Sequence, residues 1–132
     1  MARRIAVIND DPVFLEMVRD LLEEEGYASA SFQAGMADLT EVRNFRPDAM
    51  VLDLRMDAPR TGSEMLAAFQ QDAVLSATPI IICSADTRQL QDNAASWQSR
   101  GYRTLQKPFD LDTLLGLLQD VVGGPGAPNG AP

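Results

Sequence analysis

Short hydrophobic runs alternate along the chain with stretches in which apolar residues recur every three or four positions. Continuous short runs are typical of buried strands, and the longer period is typical of amphipathic helices. The alternation predicts βα units around a parallel sheet, and therefore an α/β fold. Five strands are predicted, at Arg4–Ile8, Ala28–Phe32, Ala49–Leu54, Pro79–Cys83 and Arg103–Gln106.

Each predicted strand is followed by a predicted helix. The first helix opens at Asp11-Pro12, where proline is tolerated in the first turn, and stops at Gly26. Its apolar face is predicted to hold Phe14, Val18, Leu21 and Leu22. The other four helices are predicted at Ala37–Phe45, Gly62–Asp72, Asp86–Arg100 and Leu111–Val122, with Asp110 as a candidate N-cap of the last.

The bulk composition narrows the function classes. The 132 residues suit one domain, and the single cysteine cannot form an internal disulfide, which favours a reducing cytoplasm. No apolar stretch approaches the ~20 residues that span a bilayer, so no membrane association is expected. A net charge of −8 argues against direct nucleic-acid binding. The absence of histidine excludes Ser-His-Asp and Cys-His catalysis and most zinc sites.

Polar side chains follow four of the predicted strands where each strand ends. Asp10 and Asp11 follow the first and Asp53 ends the third, while Ser84 and Lys107 follow the fourth and fifth. Because the carboxyl ends of parallel strands lie along one edge of a sheet, these five side chains are expected to meet. Taken singly, each has an ordinary explanation as a helix cap, a turn residue or an exposed lysine. Their joint placement favours a functional site.

The chemistry expected of this set is phosphoryl transfer. Three clustered carboxylates would repel one another, and a hard divalent cation such as Mg²⁺ would neutralise them and bring phosphate oxygens into its shell. An aspartate can itself accept a phosphoryl group as an acyl phosphate. Lys107 would add positive charge, and Ser84 would donate a hydrogen bond to a phosphoryl oxygen.

Four short motifs at these positions resemble those of the receiver domains of two-component response regulators. They are Asn9-Asp10-Asp11, Leu52-Asp53-Leu54-Arg55-Met56, Cys83-Ser84-Ala85 and Gln106-Lys107-Pro108-Phe109. The resemblance covers residues ~4 to ~122, the size of one ordinary domain. It implies a flavodoxin-like sheet in the order 2-1-3-4-5 with helices on both faces.

The resemblance also implies a role for each site residue. Asp53 would be the phosphoacceptor, and Mg²⁺ would be held by Asp10, Asp11, Asp53 and the backbone carbonyl of Arg55. Lys107 would pair with the phosphoryl group, and Ser84 would be the switch hydroxyl. A cis peptide bond is expected between Lys107 and Pro108.

The chain departs from the family pattern at three places. The loop after Asp53 is one residue longer than usual and carries Asp57 near the expected metal. The aromatic residue that the family places three positions before the lysine is replaced by Thr104, with Tyr102 two residues earlier. Arg55 and Asp86 occupy positions that tune the lifetime of the acyl phosphate, and we hypothesise that they pair across the opening of the site.

The expected protein is a stand-alone cytoplasmic receiver of residues 1–122 followed by a flexible Gly/Pro/Ala tail at 123–132. Its expected partners are a sensor histidine kinase or phosphotransfer protein and a downstream effector protein, and a weak homodimer through the fourth helix, fifth strand and fifth helix is a further expectation. It is expected not to be an enzyme beyond its own phosphorylation and dephosphorylation.

Three other classes of protein share the fold or part of the site chemistry expected here. The main alternative is a pseudo-receiver, an interaction module without phosphoryl turnover, which the longer loop and the missing aromatic favour. A phosphatase of the haloacid-dehalogenase type needs a second aspartate where Arg55 stands. A flavodoxin-like electron carrier needs a phosphate loop in place of Asp10-Asp11-Pro12.

Overall fold

A computed structural model describes residues 2–33, 39–54, 62–107 and 109–123 and shows a five-stranded parallel sheet with helices on both faces. The strands are β1 (Arg4–Asn9), β2 (Ala28–Gln33), β3 (Ala49–Asp53), β4 (Ile80–Ser84) and β5 (Arg103–Gln106). Their order is β2-β1-β3-β4-β5, which confirms the predicted α/β architecture and strand order.

Five α-helices connect and flank these strands. They are α1 (Pro12–Glu24), α2 (Leu39–Phe45), α3 (Gly62–Gln71), α4 (Thr87–Ser99) and α5 (Leu111–Val122). A 3₁₀ turn at Leu75–Ala77, between α3 and β4, was not predicted. Residues 34–38, which include the first two residues of the predicted second helix, and the predicted tail beyond residue 123 lie outside the described ranges.

The core consists of two apolar layers on opposite faces of the sheet. Side chains of α2, α3 and α4 cover one face, and side chains of α1 and α5 cover the other. Every residue of β3 and β4 is buried, as predicted for central strands that are covered on both faces. β2 lies at the edge and is only partly buried, also as predicted.

Two helices present slightly different faces from those predicted. In α1 the buried residues are Leu15, Val18 and Leu22, whereas Phe14 is partly buried at the margin of the core. In α4 the apolar period predicts Leu90, Ala94 and Trp97 as the core-facing positions, and of these Leu90 and Trp97 are buried but Ala94 is exposed. The three- and four-residue period permits more than one rotation of a helix about its axis, and packing against the sheet selects one of them.

Capping residues define the ends of α1 and α5, and one of them, Asp11, belongs to the predicted site. Asp11 is the N-cap of α1, with its side chain accepting from the backbone N–H of Val13 at 3.0 Å and Pro12 in the first turn. Asp110 occupies the N-cap position of α5 as predicted, and its backbone carbonyl accepts from Thr113. α5 ends at Gly123, whose φ of 78° is easily adopted by glycine.

Within the described ranges, the helices are all too short or too polar to cross a membrane.

Candidate phosphoryl-acceptor site

Asp53 stands at the carboxyl end of β3, in the middle of the sheet. Its side chain is only 5% exposed and pairs with the ammonium group of Lys107, which follows β5 and is 30% exposed. The two residues are 54 positions apart in the chain. The structure therefore brings together the carboxylate and the ammonium group that the sequence placed at the ends of two different strands.

Asn9 is a site residue to which the sequence analysis assigned no separate role. It is buried at the end of β1, and its side-chain amide donates to Asp53 Oδ2 at 3.2 Å. Its side-chain oxygen accepts from the backbone N–H of Asp11 at 2.9 Å. Asn9 thus ties the Asp53 carboxylate to the turn that carries Asp10 and Asp11. A buried polar residue at the end of an apolar strand was the available signal, because such a group is normally hydrogen-bonded.

Asp10 and Asp11 lie in the turn between β1 and α1, as predicted. Asp10 is partly buried, and its carbonyl accepts from the Gln33 side chain at 3.5 Å. Asp11 is exposed, and its carboxylate caps α1. Across the described residues, no set of three or more His, Cys, Asp or Glu side chains is arranged to hold a metal ion.

The donor atoms at this edge nonetheless fit Mg²⁺. They are carboxylate and carbonyl oxygens, the hard ligands that Mg²⁺ prefers. Mg²⁺ commonly keeps several waters and is bound through one or two carboxylates, so it does not require a cage of three. The nearby Cys83 adds no soft ligand to this set, because its side chain is buried in the apolar layer covered by α1 and α5. Burial also raises the pKa of this thiol to about 12, with the negative charge of Asp53 adding to the effect.

Cys83 itself behaves as the predicted small hydrophobic residue. It is 1% exposed within β4 and faces the layer covered by α1 and α5. Its raised pKa keeps the thiol neutral at physiological pH, and a neutral buried thiol is chemically inert.

Ser84 ends β4 and is buried beside the start of α4. Its hydroxyl oxygen accepts from the backbone N–H of Asp86 at 3.0 Å and donates to Gln89 Oε1 at 3.3 Å. The Ser84 carbonyl accepts from the backbone N–H of Lys107 at 2.9 Å. Ser84 therefore connects the end of β5, which carries Lys107, with the first turn of α4.

Several sequence predictions fall on residues outside the described ranges. These are the metal-binding carbonyl of Arg55, the longer loop with Asp57, and the peptide bond to Pro108. The hypothesised pairing of Arg55 with Asp86 is untested for the same reason. The Asp86 carboxylate caps α4 by accepting from the backbone N–H of Gln89 at 3.1 Å.

The two residues near the expected switch aromatic differ in exposure. Thr104 is exposed on β5, whereas Tyr102 is 2% exposed and belongs to the layer covered by α2, α3 and α4. Trp97 is also in that layer at 6% exposure, so it is more deeply buried than the half-buried packing expected from the sequence.

Comparison with known proteins identifies the class of protein in which such a sheet carries acids, a serine and a lysine at one edge. The model of the family "Response regulator receiver domain" matches residues 5–119. The chain belongs to this family of two-component signalling domains.

The individual proteins that are similar to this chain point to the same family. The DNA-binding response regulator MtrA of Mycolicibacterium smegmatis is 33% identical over 109 residues, which cover 83% of this chain and 46% of MtrA. The chain thus spans less than half the length of that relative. The Vibrio cholerae chemotaxis protein CheY4 superposes with a TM-score of 0.77 at 26% identity, covering 92% of this chain and 99% of CheY4.

A third relative shows the same fold with a metal bound. The receiver domain of the sensor histidine kinase PA1611 from Pseudomonas aeruginosa has a TM-score of 0.75 at 23% identity, covering 94% of this chain and all of that domain (100%). That domain was crystallised with a magnesium ion coordinated in its active-site cleft.

Proposed function

We propose that this protein is a phosphorylation-dependent signalling switch that accepts a phosphoryl group on Asp53. The observation that carries the proposal is the buried Asp53 carboxylate paired with Lys107 at the carboxyl edge of the sheet, beside the Ser84 hydroxyl at the end of the next strand. The phosphodonor is a sensor histidine kinase or a phosphotransfer protein, and the protein acts in the cytoplasm through an effector protein.

The transfer step exchanges one bond to phosphorus for another. A carboxylate oxygen of Asp53 bonds to the phosphorus of a phosphohistidine or of a small acyl phosphate. The bond from phosphorus to the donor breaks, and the donor leaves with the electron pair as imidazole or carboxylate. Hydrolysis reverses the modification: a water oxygen bonds to phosphorus, the bond from phosphorus to the Asp53 oxygen breaks, and the Asp53 carboxylate leaves with the electron pair. The water gives up a proton to solvent, and inorganic phosphate is released.

The residues of the site supply charge and orientation for this exchange. Lys107 neutralises charge on the phosphoryl oxygens, and the Ser84 hydroxyl donates a hydrogen bond to one of them. Asn9 orients the acceptor carboxylate through its hydrogen bond to Oδ2. Asp10, Asp11, Asp53 and the carbonyl of Arg55 would hold Mg²⁺, which supplies further positive charge to the transferring group when bound.

A surface beside the site suits a phosphodonor protein. A groove of about 440 Å³ is lined by Phe14, Met17, Ala85, Lys107, Phe109 and Leu111. On the adjoining helix α1, Val13 is 73% exposed and Met17 is 47% exposed. Exposed apolar side chains at this density mark a protein contact surface, and a donor histidine must come to this edge to reach Asp53.

A different surface is proposed for the effector, or for a second copy of this chain. A groove between α4, β5 and α5 is lined by Ala94, Gln98, Tyr102, Arg103, Thr104 and Leu117. Leu117 is partly buried against the core. This surface adjoins β5 and α4, the two elements that Ser84 connects, so a change at Ser84 is transmitted to it directly.

Incubation with acetyl phosphate and Mg²⁺ followed by intact mass spectrometry tests the proposal. One phosphoryl adduct is expected on the wild type and none on Asp53→Asn. Asp48→Asn, which alters an aspartate at the opposite end of β3, is the matched control and should accept phosphate normally. Addition of EDTA should suppress the adduct, because the charge on the phosphoryl oxygens is then less well neutralised.

The second candidate is a pseudo-receiver that binds partners without turning over phosphate. It is favoured by the capping role of the Asp11 carboxylate and by the absence, over the described residues, of a group of three acids suited to a metal. A wild type that stays unmodified by acetyl phosphate at saturating Mg²⁺ would favour this alternative and contradict the switch.

A further inference from the structure

The Ser84 hydroxyl is part of a closed ring of hydrogen bonds at the start of α4. The backbone N–H of Asp86 donates to Ser84 Oγ at 3.0 Å, and Ser84 Oγ donates to Gln89 Oε1 at 3.3 Å. The backbone N–H of Gln89 donates to Asp86 Oδ1 at 3.1 Å. The pattern is a helix capping box in which a serine hydroxyl is inserted between the residue that caps the helix and the side chain that reaches back to it.

A second contact joins the same helical turn to β5. The side-chain amide of Gln106 donates to Thr87 Oγ1 at 3.1 Å. Gln106 directly precedes Lys107, whose backbone N–H donates to the Ser84 carbonyl. The first turn of α4 is therefore tied to the strand end that carries the site lysine, and it would respond to a change in either Ser84 or Lys107.

A serine hydroxyl has a single proton to donate. While that proton is donated to Gln89, it is not available to a phosphoryl oxygen on Asp53. The two acceptors must therefore compete for it, and phosphorylation would open the ring at the Ser84–Gln89 bond.

We infer that Gln89 is a positioning residue that holds the Ser84 hydroxyl turned toward α4 until a phosphoryl group on Asp53 competes for it. This inference rests on the function proposed above. With Thr104 exposed and Tyr102 buried in the core, the structure offers Gln89 as the partner that senses the position of Ser84. Loss of the ring loosens the first turn of α4, and α4 borders the groove proposed for the effector.

Gln89→Met removes the acceptor while keeping the side-chain length and a residue that favours helix. The probe is beryllofluoride with Mg²⁺, which imitates a phosphoryl group on a carboxylate. Its apparent affinity should rise about fivefold in Gln89→Met, because one hydrogen bond of ordinary strength no longer opposes binding. Gln91→Met is the matched control, since Gln91 is an exposed glutamine on the same helix, and its affinity should equal that of the wild type.

A spectroscopic signature separates positioning from a general effect on stability. In NMR spectra without beryllofluoride, the amide resonances of Asp86 and Gln89 in Gln89→Met should move toward their positions in the beryllofluoride-bound wild type. Gln89→Glu retains an acceptor and should restore the wild-type positions. In a Ser84→Ala background, Gln89→Met should leave the affinity unchanged, because the hydroxyl for which Gln89 competes is gone.

The outcomes are distinct. A fivefold effect that persists in the Ser84→Ala background, or that Gln91→Met reproduces, would overturn the role of Gln89. Unchanged affinity and unchanged amide resonances in Gln89→Met would do the same. A wild type that fails to bind beryllofluoride at all would instead contradict the proposed function, and the inference with it.

Discussion

A buried aspartate paired with a basic residue lies at each end of the strands. Asp53 pairs with Lys107 at the carboxyl end, and Asp72 pairs with Arg43 at the opposite end, where α2 and α3 finish and β4 begins. Both aspartate side chains are 5% exposed. The two carboxylates are therefore equally buried, while Arg43 is 39% and Lys107 is 30% exposed, and a difference in the chemistry of the carboxylates must come from the groups around them.

Asp72 accepts hydrogen bonds from fixed backbone groups as well as from a side chain. Its Oδ1 accepts from Nε and Nη2 of Arg43 at 3.0 and 2.5 Å, and its Oδ2 accepts from the backbone N–H groups of Val74 and Leu75, both at 2.9 Å. These hydrogen bonds, those from Arg43 first, lower the pKa of Asp72 to about 2. The carboxylate is thereby fixed in its charged form and joins α2 to the 3₁₀ turn before β4.

The described hydrogen bonds to Asp53 come from side chains instead. Asn9 and Lys107 both reach Oδ2 from long or rotatable side chains, and the 30% exposed lysine leads from the carboxylate to the surface. Such partners can turn toward a new group that arrives on the carboxylate, whereas backbone amides cannot. The comparison shows that burial beside a cation is common to both aspartates, and that the described contacts differ in whether backbone N–H groups or only side chains donate to the carboxylate.

The largest contrast is expected when the basic partner of each aspartate is removed. Lys107→Ala should slow phosphorylation by acetyl phosphate roughly a hundredfold, because one preorganised charge at the reacting group is lost. Arg43→Ala should leave this rate within about twofold, since Arg43 lies at the other end of the sheet, provided that the variant is assayed where circular dichroism shows it folded. The measurement is the initial rate of adduct formation by mass spectrometry. Equal rates in the two variants would contradict the proposal that phosphoryl transfer takes place at the carboxyl end of the sheet, beside Lys107.

A smaller, opposite contrast is expected in stability. Asp72→Asn should lower the midpoint of thermal unfolding by several degrees, because Arg43 loses its buried anionic partner. Asp53→Asn should change it much less, since the described donors to Asp53 are side chains that can turn toward water, whereas the backbone N–H groups of Val74 and Leu75 beside Asp72 cannot. Differential scanning calorimetry at neutral pH measures both midpoints, and a larger loss in Asp53→Asn would show that the Asp53 pair, rather than the Asp72 pair, stabilises the fold.

The smallest effect is expected in how the free energy of unfolding depends on pH under acidic conditions. The pKa of Asp72 is lower in the folded protein than its ordinary value of 3.8, so its contribution to stability is complete above that pH and is lost as the pH falls through about 2. The free energy of unfolding of the wild type should therefore fall more steeply between these pH values than that of Asp72→Asn. Urea titrations at a series of pH values measure this slope, and parallel curves for the two proteins would contradict the lowered pKa.

Much of the site could be predicted because its positions follow from local patterns and one topological rule. Apolar runs marked β1, β3, β4 and β5 to within a residue or two, and the carboxyl ends of parallel strands must lie along one edge. The sequence could thus predict that Asp53, Ser84 and Lys107 share that edge. It could not predict Asn9 as a partner of Asp53, because an asparagine beside two aspartates is equally consistent with a turn.

The chain by itself determined the order and character of the elements, since strand and helix periods are written in neighbouring residues. Only the tertiary structure decided which side chains pair across the molecule. Arg43 and Asp72 are 29 positions apart, and Leu15 rather than Phe14 faces the core, because these outcomes depend on the rotation and register at which whole elements pack. The ring of Ser84, Asp86 and Gln89 is also a feature that only the tertiary structure decided. Its three residues are close in sequence, but the bend between β4 and α4 is what brings their polar atoms together.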